Sequence, residues 1–154
     1  MLFDVRPTLF TDLEPLSRTL RADDVEEIAA ASGQGPYEGL VHSFNLSDEC
    51  MTIWNGNDPA AIFGYKVVDP GIAAVVWMLG SDKIFEGKIE FLKRSRFWVD
   101  YVNSKAPLIY NLVYHKNVVH IKWLRWMGFV FLRRIEKAGV KGLPFIEFAR
   151  LNHV

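Results

Sequence analysis

The sequence predicts one α+β domain, a mixed and mostly antiparallel central sheet with helices on both faces. Three observations carry this. Residues 72–79, Ile-Ala-Ala-Val-Val-Trp-Met-Leu, form a continuous apolar run, as a strand does when it is central and covered on both sides. Asn55-Gly56-Asn57-Asp58 separates two strand-like runs, and Asn and Gly tolerate the positive φ of a tight hairpin turn. No linker, repeat or low-complexity segment divides residues 1–154, a length that suits a single domain of roughly 100–200 residues.

Each element has a local reason. Leu2 to Arg6 alternates apolar and polar residues, which suits a first strand, and Pro7 ends it. Thr11-Asp12 offers an N-cap to a short helix with Glu14 and Pro15 in its first turn. Ala22-Asp23-Asp24 opens a second helix with acids at the positive end of its dipole, and Ser32-Gly33 closes it. Tyr37 to Leu46 reads as a third, short helix. Cys50 to Trp54 and Ala60 to Val68 are the strands of the hairpin. Asp69-Pro70-Gly71 turns the chain into the apolar strand 72–79.

Gly80 to Gly87 leads into a long helix from Lys88 to about Ser104, with Ile89, Leu92, Val99 and Val102 at helical spacing. Pro107 precedes the strand Leu108 to Val113. Asn117 then starts a short helix that Gly128 stops, and Phe129 to Ile135 and Phe145 to Leu151 are the closing strands.

Composition bounds the function. Hydrophobic residues make up 50% of the chain, with 11 Phe and 5 Trp, ample for a core and contrary to disorder. Eighteen cations balance eighteen anions, so there is no global attraction to nucleic acid or membrane. Such an aromatic-rich chain without net charge suits life inside an assembly. One cysteine, Cys50, excludes an internal disulfide and fits a reducing compartment. No signal pattern opens the sequence, and no apolar run nears the roughly 20 residues of a membrane span.

The four histidines, His42, His115, His120 and His153, show no metal-binding pattern and read as surface or hydrogen-bonded residues. Cys50 follows Asp48 and Glu49, carboxylates that disfavour a thiolate, so it reads as a structural cysteine. Gly80 to Gly87 runs from a central strand into a helix, where free N–H groups can meet a pyrophosphate. Lys83 and the adjoining Lys88 favour that; Asp82 and Glu86 oppose it, and Ser81 or Asp82 equally serves as a helix cap. Lys88, Lys93, Arg94 and Arg96 with Trp98 and Tyr101 form a basic, aromatic stretch. Lys93 and Arg96 share a face, which fits a solvated or protein-docking surface better than nucleic acid. Ile121, Leu124 and Gly128 share a core face, whereas Trp123 and Trp126 fit either core or a partner interface.

Asn117, Gly128 and Phe129 stand at a spacing that resembles the GNAT N-acetyltransferases, in which Gly-Phe follows the helix-starting Asn at plus eleven and twelve. Nearly the whole chain can be laid on that fold. Two features depart from the active enzymes. Their Arg/Gln-X-X-Gly-X-Gly/Ala loop, which grips the pyrophosphate of acetyl-CoA, is not reproduced by Gly80 to Gly87. Their tyrosine at plus seven, which protonates the departing thiolate, is Leu124 here and has no proton to give. The strand 72–79 also holds no carboxylate to act as a base.

A narrower likeness is to the small GNAT-like proteins of short-tailed phages, an internal virion protein among them. It rests on Asp48-Glu49-Cys50-Met51-Thr52, on Ser81-Asp82 with Ile84-Phe85, and on Asn117, His120-Ile121, Leu124 and Gly128.

The resemblance implies a phage protein made in the host bacterial cytoplasm and carried in or attached to the virion, without acetyl transfer and without a cofactor. Its partners would be other phage structural proteins or further copies of itself, docked through Trp123, Trp126, Lys93, Arg96 and Trp98. The competing expectation is an N-acyltransferase. There Met78, Leu79, Gly80, Gly87 and Asn117 would hold acetyl-CoA, and Tyr110, Tyr114 or His115 would replace the missing acid. A CoA-binding or peptide-binding module without chemistry is the third.

Overall fold

The computed structural model describes residues 1–152 and leaves His153 outside them. The chain runs β1 (Phe3–Pro7), a 3-10 turn (Phe10–Asp12), α1 (Leu13–Ser17), α2 (Ala22–Ser32), α3 (Pro36–Leu46), β2 (Glu49–Asn55), β3 (Asp58–Asp69) and β4 (Ala73–Gly80). A second 3-10 turn (Asp82–Gly87) leads into α4 (Lys88–Asn103), followed by β5 (Leu108–Tyr114), α5 (Val118–Trp126), β6 (Val130–Ala138) and β7 (Leu143–Leu151). The seven strands lie in the order β1-β2-β3-β4-β5-β7-β6. Among the described residues only β4 and β5 pair in parallel, so the sheet is mixed and mostly antiparallel as expected.

Strand alternation sorts the core into two layers. On one face Phe91 and Val102 of α4 and Trp123 and Leu124 of α5 pack against Ile53, Ala74, Ile109 and Phe148. On the other, Leu13, Leu16, Ile28 and Leu40 of α1 to α3 pack against Ile62 and Leu79. Gly33 ends α2 in the left-handed region (φ 74°), and its N–H donates to Ala29 O. The β6–β7 hairpin tip then seats on that helix end. Gly139 (φ 69°) comes so close that a Cβ would lie 2.5 Å from Ala30 O, and Val140 N–H donates to Ala31 O at 3.1 Å.

Three local expectations change. The hairpin strands are longer than 50–54 and 60–68, because the ladder runs from the Glu49–Tyr65 pair to the Asn55–Asp58 pair that brackets the turn, and β3 continues to Asp69. Ile72 belongs to the preceding turn and is 55% exposed, so the covered strand starts at Ala73. On α4 Leu92, Val99 and Val102 pack on the core together with Phe91, as their spacing predicts, while Ile89 is 71% exposed. Ile89 stands in the first turn at the margin of that face, which residue spacing alone does not reveal.

Candidate functional site in the gap between two central strands

β4 and β5 pair only at Ala73–Leu108, Ala74–Ile109 and Val75–Tyr110. Past that point β4 continues with β3 and β5 with β7, so the two strands diverge. Ser81 N–H donates to Ala60 O of β3, and Leu108 N–H donates to Ile72 O. By the alternation of the ladder, Val76, Met78 and Gly80 therefore turn their N–H and C=O groups toward the gap. Leu112 and Tyr114 do so from the other side.

Asn111 holds the fork of the gap. Its Nδ2 donates to Val76 O (2.7 Å), and its Oδ1 accepts from Leu112 N–H (2.8 Å). The far end is filled from α2. Gly80 N–H donates to Asp24 Oδ2 (2.9 Å), and Gly80 O accepts from Arg21 N–H (2.9 Å). Tyr114 N–H donates to Glu27 Oε1 (2.6 Å). The Arg21 guanidinium donates to Asp24 Oδ1 (2.8 Å) and to Asn117 Oδ1 (2.9 Å), and Asn117 Nδ2 donates to Asp24 Oδ1 (3.0 Å). Arg21 and Asp24 are both buried, with the guanidinium 5.0 Å over the Trp123 ring. Arg21 Nε is buried without a partner.

Met78, between fork and far end, meets no such side chain among the described residues. Its N–H and C=O face a cavity of about 460 Å³ that crosses the sheet through the gap. Ile28, His42 and Trp77 line it on the α2–α3 side, and Phe91, Trp98 and Leu124 on the α4–α5 side. Glu27 and His120 also line it. Burial raises the Glu27 carboxyl from the ordinary 4.5 to about 7; neighbouring Asp24 adds to this, while the Tyr114 N–H, Asn117 and Arg21 oppose it. Burial holds the His120 imidazole below its ordinary value.

The expected site residues come together only in part. Met78, Leu79 and Gly80 lie along the gap, but Leu79 bonds toward β3 and Gly80 is already paired. Gly87 packs on Phe3, where a Cβ would come within 2.7 Å of the ring. The loop leading to it is a 3-10 turn capped by Ser81, whose Oγ accepts from Lys83 N–H (3.2 Å). Ser81 also bridges to Leu20, and Glu86 accepts from Asn55 Nδ2. Asn117 is wholly buried in the Arg21–Asp24 network and does not cap α5.

Tyr110, Tyr114 and His115 do not line the cavity. Tyr114 packs against His115 and Phe145, and its hydroxyl donates to Glu26 (3.3 Å). Cys50 is buried, and burial first, then Glu49, pushes its thiol up; Asp48 is instead engaged with Val67 N–H and Lys66. Arg21, Asp24, Glu27 and Asn111 were not legible as site residues. Asp24 reads as a helix-dipole acid, Glu27 carries no sequence signal, and nothing in the sequence joins 21–27 to 111–117.

The docking candidates divide. Trp123 is core, packed on Phe91 (5.0 Å) and Phe85 (5.9 Å). Trp98 is half-buried between Phe63 and Tyr101. Trp126 is exposed under Arg96, whose guanidinium lies 4.1 Å from the ring, and Lys93 is exposed on the same helix as Arg96. Among the described residues no helix is long and apolar enough to cross a membrane. Nor is any group of three or more His, Cys, Asp or Glu placed to hold a metal ion.

A mixed seven-stranded sheet, forked between its two parallel strands, is the architecture of the GNAT acetyltransferases. The chain has that fold. It superposes on a GNAT-family acetyltransferase from Bacillus anthracis with a TM-score of 0.73, at 12% identity over 99% of this chain and 96% of the other. The ribosomal L7/L12 alpha-N-protein acetyltransferase RimL, solved with coenzyme A, matches with a TM-score of 0.68, at 12% identity over 98% and 94%. In sequence the chain is similar to the probable scaffold protein gp13 of Escherichia phage T7, 28% identical over 142 residues, which cover 90% of this chain and 92% of that protein. No family model matches.

Proposed function

We propose that this chain serves in the assembly of a phage particle, or within the particle, on a GNAT fold no longer used for acetyl transfer. The observation that carries this reading is Gly80. A pantetheine arm entering the gap would need the β4 edge. At Gly80 both edge groups are taken, one by Asp24 and one by the Arg21 backbone. Freeing them strips the Gly80 partner from Asp24 Oδ2 and from the Arg21 N–H in a buried setting, at about 1–3 kcal/mol each. Leu124 supplies no proton, and Asp82 and Glu86 repel a pyrophosphate. Likeness to a phage scaffold protein supports the assembly role. The chain would be made in the bacterial cytoplasm and would act through other phage structural proteins or further copies of itself, with no cofactor.

Calorimetric titration with acetyl-CoA tests the loss of chemistry. No heat of binding is expected up to millimolar ligand; saturable binding at micromolar concentration sinks the reading. Mass spectrometry of purified particles and their precursors tests the assembly role, and absence from both sinks it.

One observation favours an acyltransferase instead. Glu27 lines the cavity with a carboxyl poised near 7, suited to a general base. On that reading acetyl-CoA is turned over, and Glu27→Gln lowers the rate at least ~100-fold.

A further inference from the structure

We propose that the chain associates with copies of itself head to tail, the α4–α5 face of one copy seated on the α2–α3 face of the next. The inference deepens the assembly reading and rests on it for its biological purpose. The chain has no net charge, yet its two helical layers are of opposite sign. α2 and α3 contain no lysine or arginine, and Glu26 and Glu38 are exposed there with Asp23 half-buried. α5 contains no acid. On the α4–α5 face the acids of α4 are spoken for: Glu90 pairs with Arg94 and Asp100 with Arg150. Lys93, Arg96, Lys122 and Arg125 are exposed there and have no ion-pair partner among the described residues.

Each layer also exposes apolar surface beside its charges. Ile89 and Phe97 are exposed on α4 with Lys93 and Arg96, and Trp126 lies under Arg96. Tyr37 and Leu46 are exposed on α3 with Glu38, and Phe10 is exposed against Phe44 of that helix. Large exposed apolar groups rimmed by charge mark protein interfaces. The two layers lie on opposite faces of one sheet, so a single copy cannot bring its own together. A two-fold contact would set like charge against like. Only a heterologous contact matches cation to anion, and such a contact either closes into a ring or extends.

Sedimentation velocity of the full chain at ~0.1 mM tests this in low salt and in ~0.5 M salt, where the Debye length is well below 10 Å. Wild type is expected as a species larger than the monomer in low salt and as a monomer in high salt. Lys93→Glu with Arg96→Glu, and separately Glu26→Lys with Glu38→Lys, should each give a monomer with unchanged far-ultraviolet dichroism. An equimolar mixture of the two variants should regain the larger species, which a misfolded variant would not do. A monomeric wild type in low salt, variants that stay assembled, or a mixture that stays monomeric each overturns the proposal. Failure here is distinct from failure of the assembly reading. A monomer still found in phage particles removes only the head-to-tail contact, whereas an assembled protein that turns over acetyl-CoA removes only the assembly reading.

Discussion

Gly80 and Met78 lie two residues apart on the same edge of β4, and the gap treats them oppositely. At Gly80 the backbone is closed by Asp24 and Arg21, deep in a network of charged and amide groups. At Met78 the same edge faces an apolar cavity. The fold thus keeps the fork between its parallel strands while its far end is built shut. One strand edge is closed and open within two residues, according to which side chains the neighbouring helix brings to it.

The largest effect should come from breaking the closed end. Asp24→Ala leaves the buried Arg21 guanidinium without its carboxylate and Gly80 N–H without an acceptor. A loss of about 3–5 kcal/mol is expected in urea denaturation. A loss under ~1 kcal/mol would mean that the end is not held shut by this pair.

The open side carries a pH signature. Glu27 titrates at about 7 in the folded protein, above its ordinary 4.5. Between those values the folded state holds a proton that the unfolded chain releases. Stability from this group is therefore full below about 4.5 and falls as pH rises, by up to about 3 kcal/mol once pH passes 7. Glu27→Gln, which can still accept from Tyr114 N–H, should stabilise the protein at pH 8 and flatten this limb of the profile. His120 works oppositely. Its imidazole is held below its ordinary value, so its contribution is present above about 6.5 and lost as pH falls. Below about 6.5 the two contributions oppose one another, so the difference between wild type and Glu27→Gln isolates the first, and it should grow from pH 4.5 to about 7. A difference that does not change with pH would remove the Glu27 assignment.

Asn111 tests the fork itself. Asn111→Ala strips partners from Val76 O and Leu112 N–H, for an expected loss of about 1–3 kcal/mol. Hydrogen exchange should quicken at Leu112 and remain slow in β3; uniform exchange would show that the fork is not a local pin. The smallest effect should come from the outer face. Arg96→Ala removes an exposed stack on Trp126 and the Arg96 Nε–H bond to Trp126 O (3.0 Å), together worth about 1 kcal/mol in chemical denaturation. A loss of 3 kcal/mol or more would show that this face belongs to the core.

Much of the frame was legible because it follows local rules. The hairpin at 55–58, the covered strand ahead of the long helix, and the Asn117 to Phe129 unit all stand where spacing and turn chemistry put them. Trp123 and Trp126 show where such rules run out. Three residues apart on one short helix, they were equal candidates for core or surface. Trp123 falls over Phe91 and beneath Arg21, whereas Trp126 falls outside, and only the packing of α5 on α4 separates them. Ile89 failed for the same reason, since it stands in the first turn of α4 at the margin of the face on which Phe91, Leu92, Val99 and Val102 meet the core.

By itself the sequence determined the order of elements, the mixed sheet and the absence of a proton donor at Leu124, because each depends on residue type and short-range spacing. The tertiary structure alone decided the state of the gap. Arg21, Asp24 and Glu27 are nearly a hundred residues from Tyr114 and Asn117, and their meaning as a plug arises only where the diverging strands leave backbone groups unpaired. A buried N–H or C=O needs a partner from whatever part of the chain the fold brings to it.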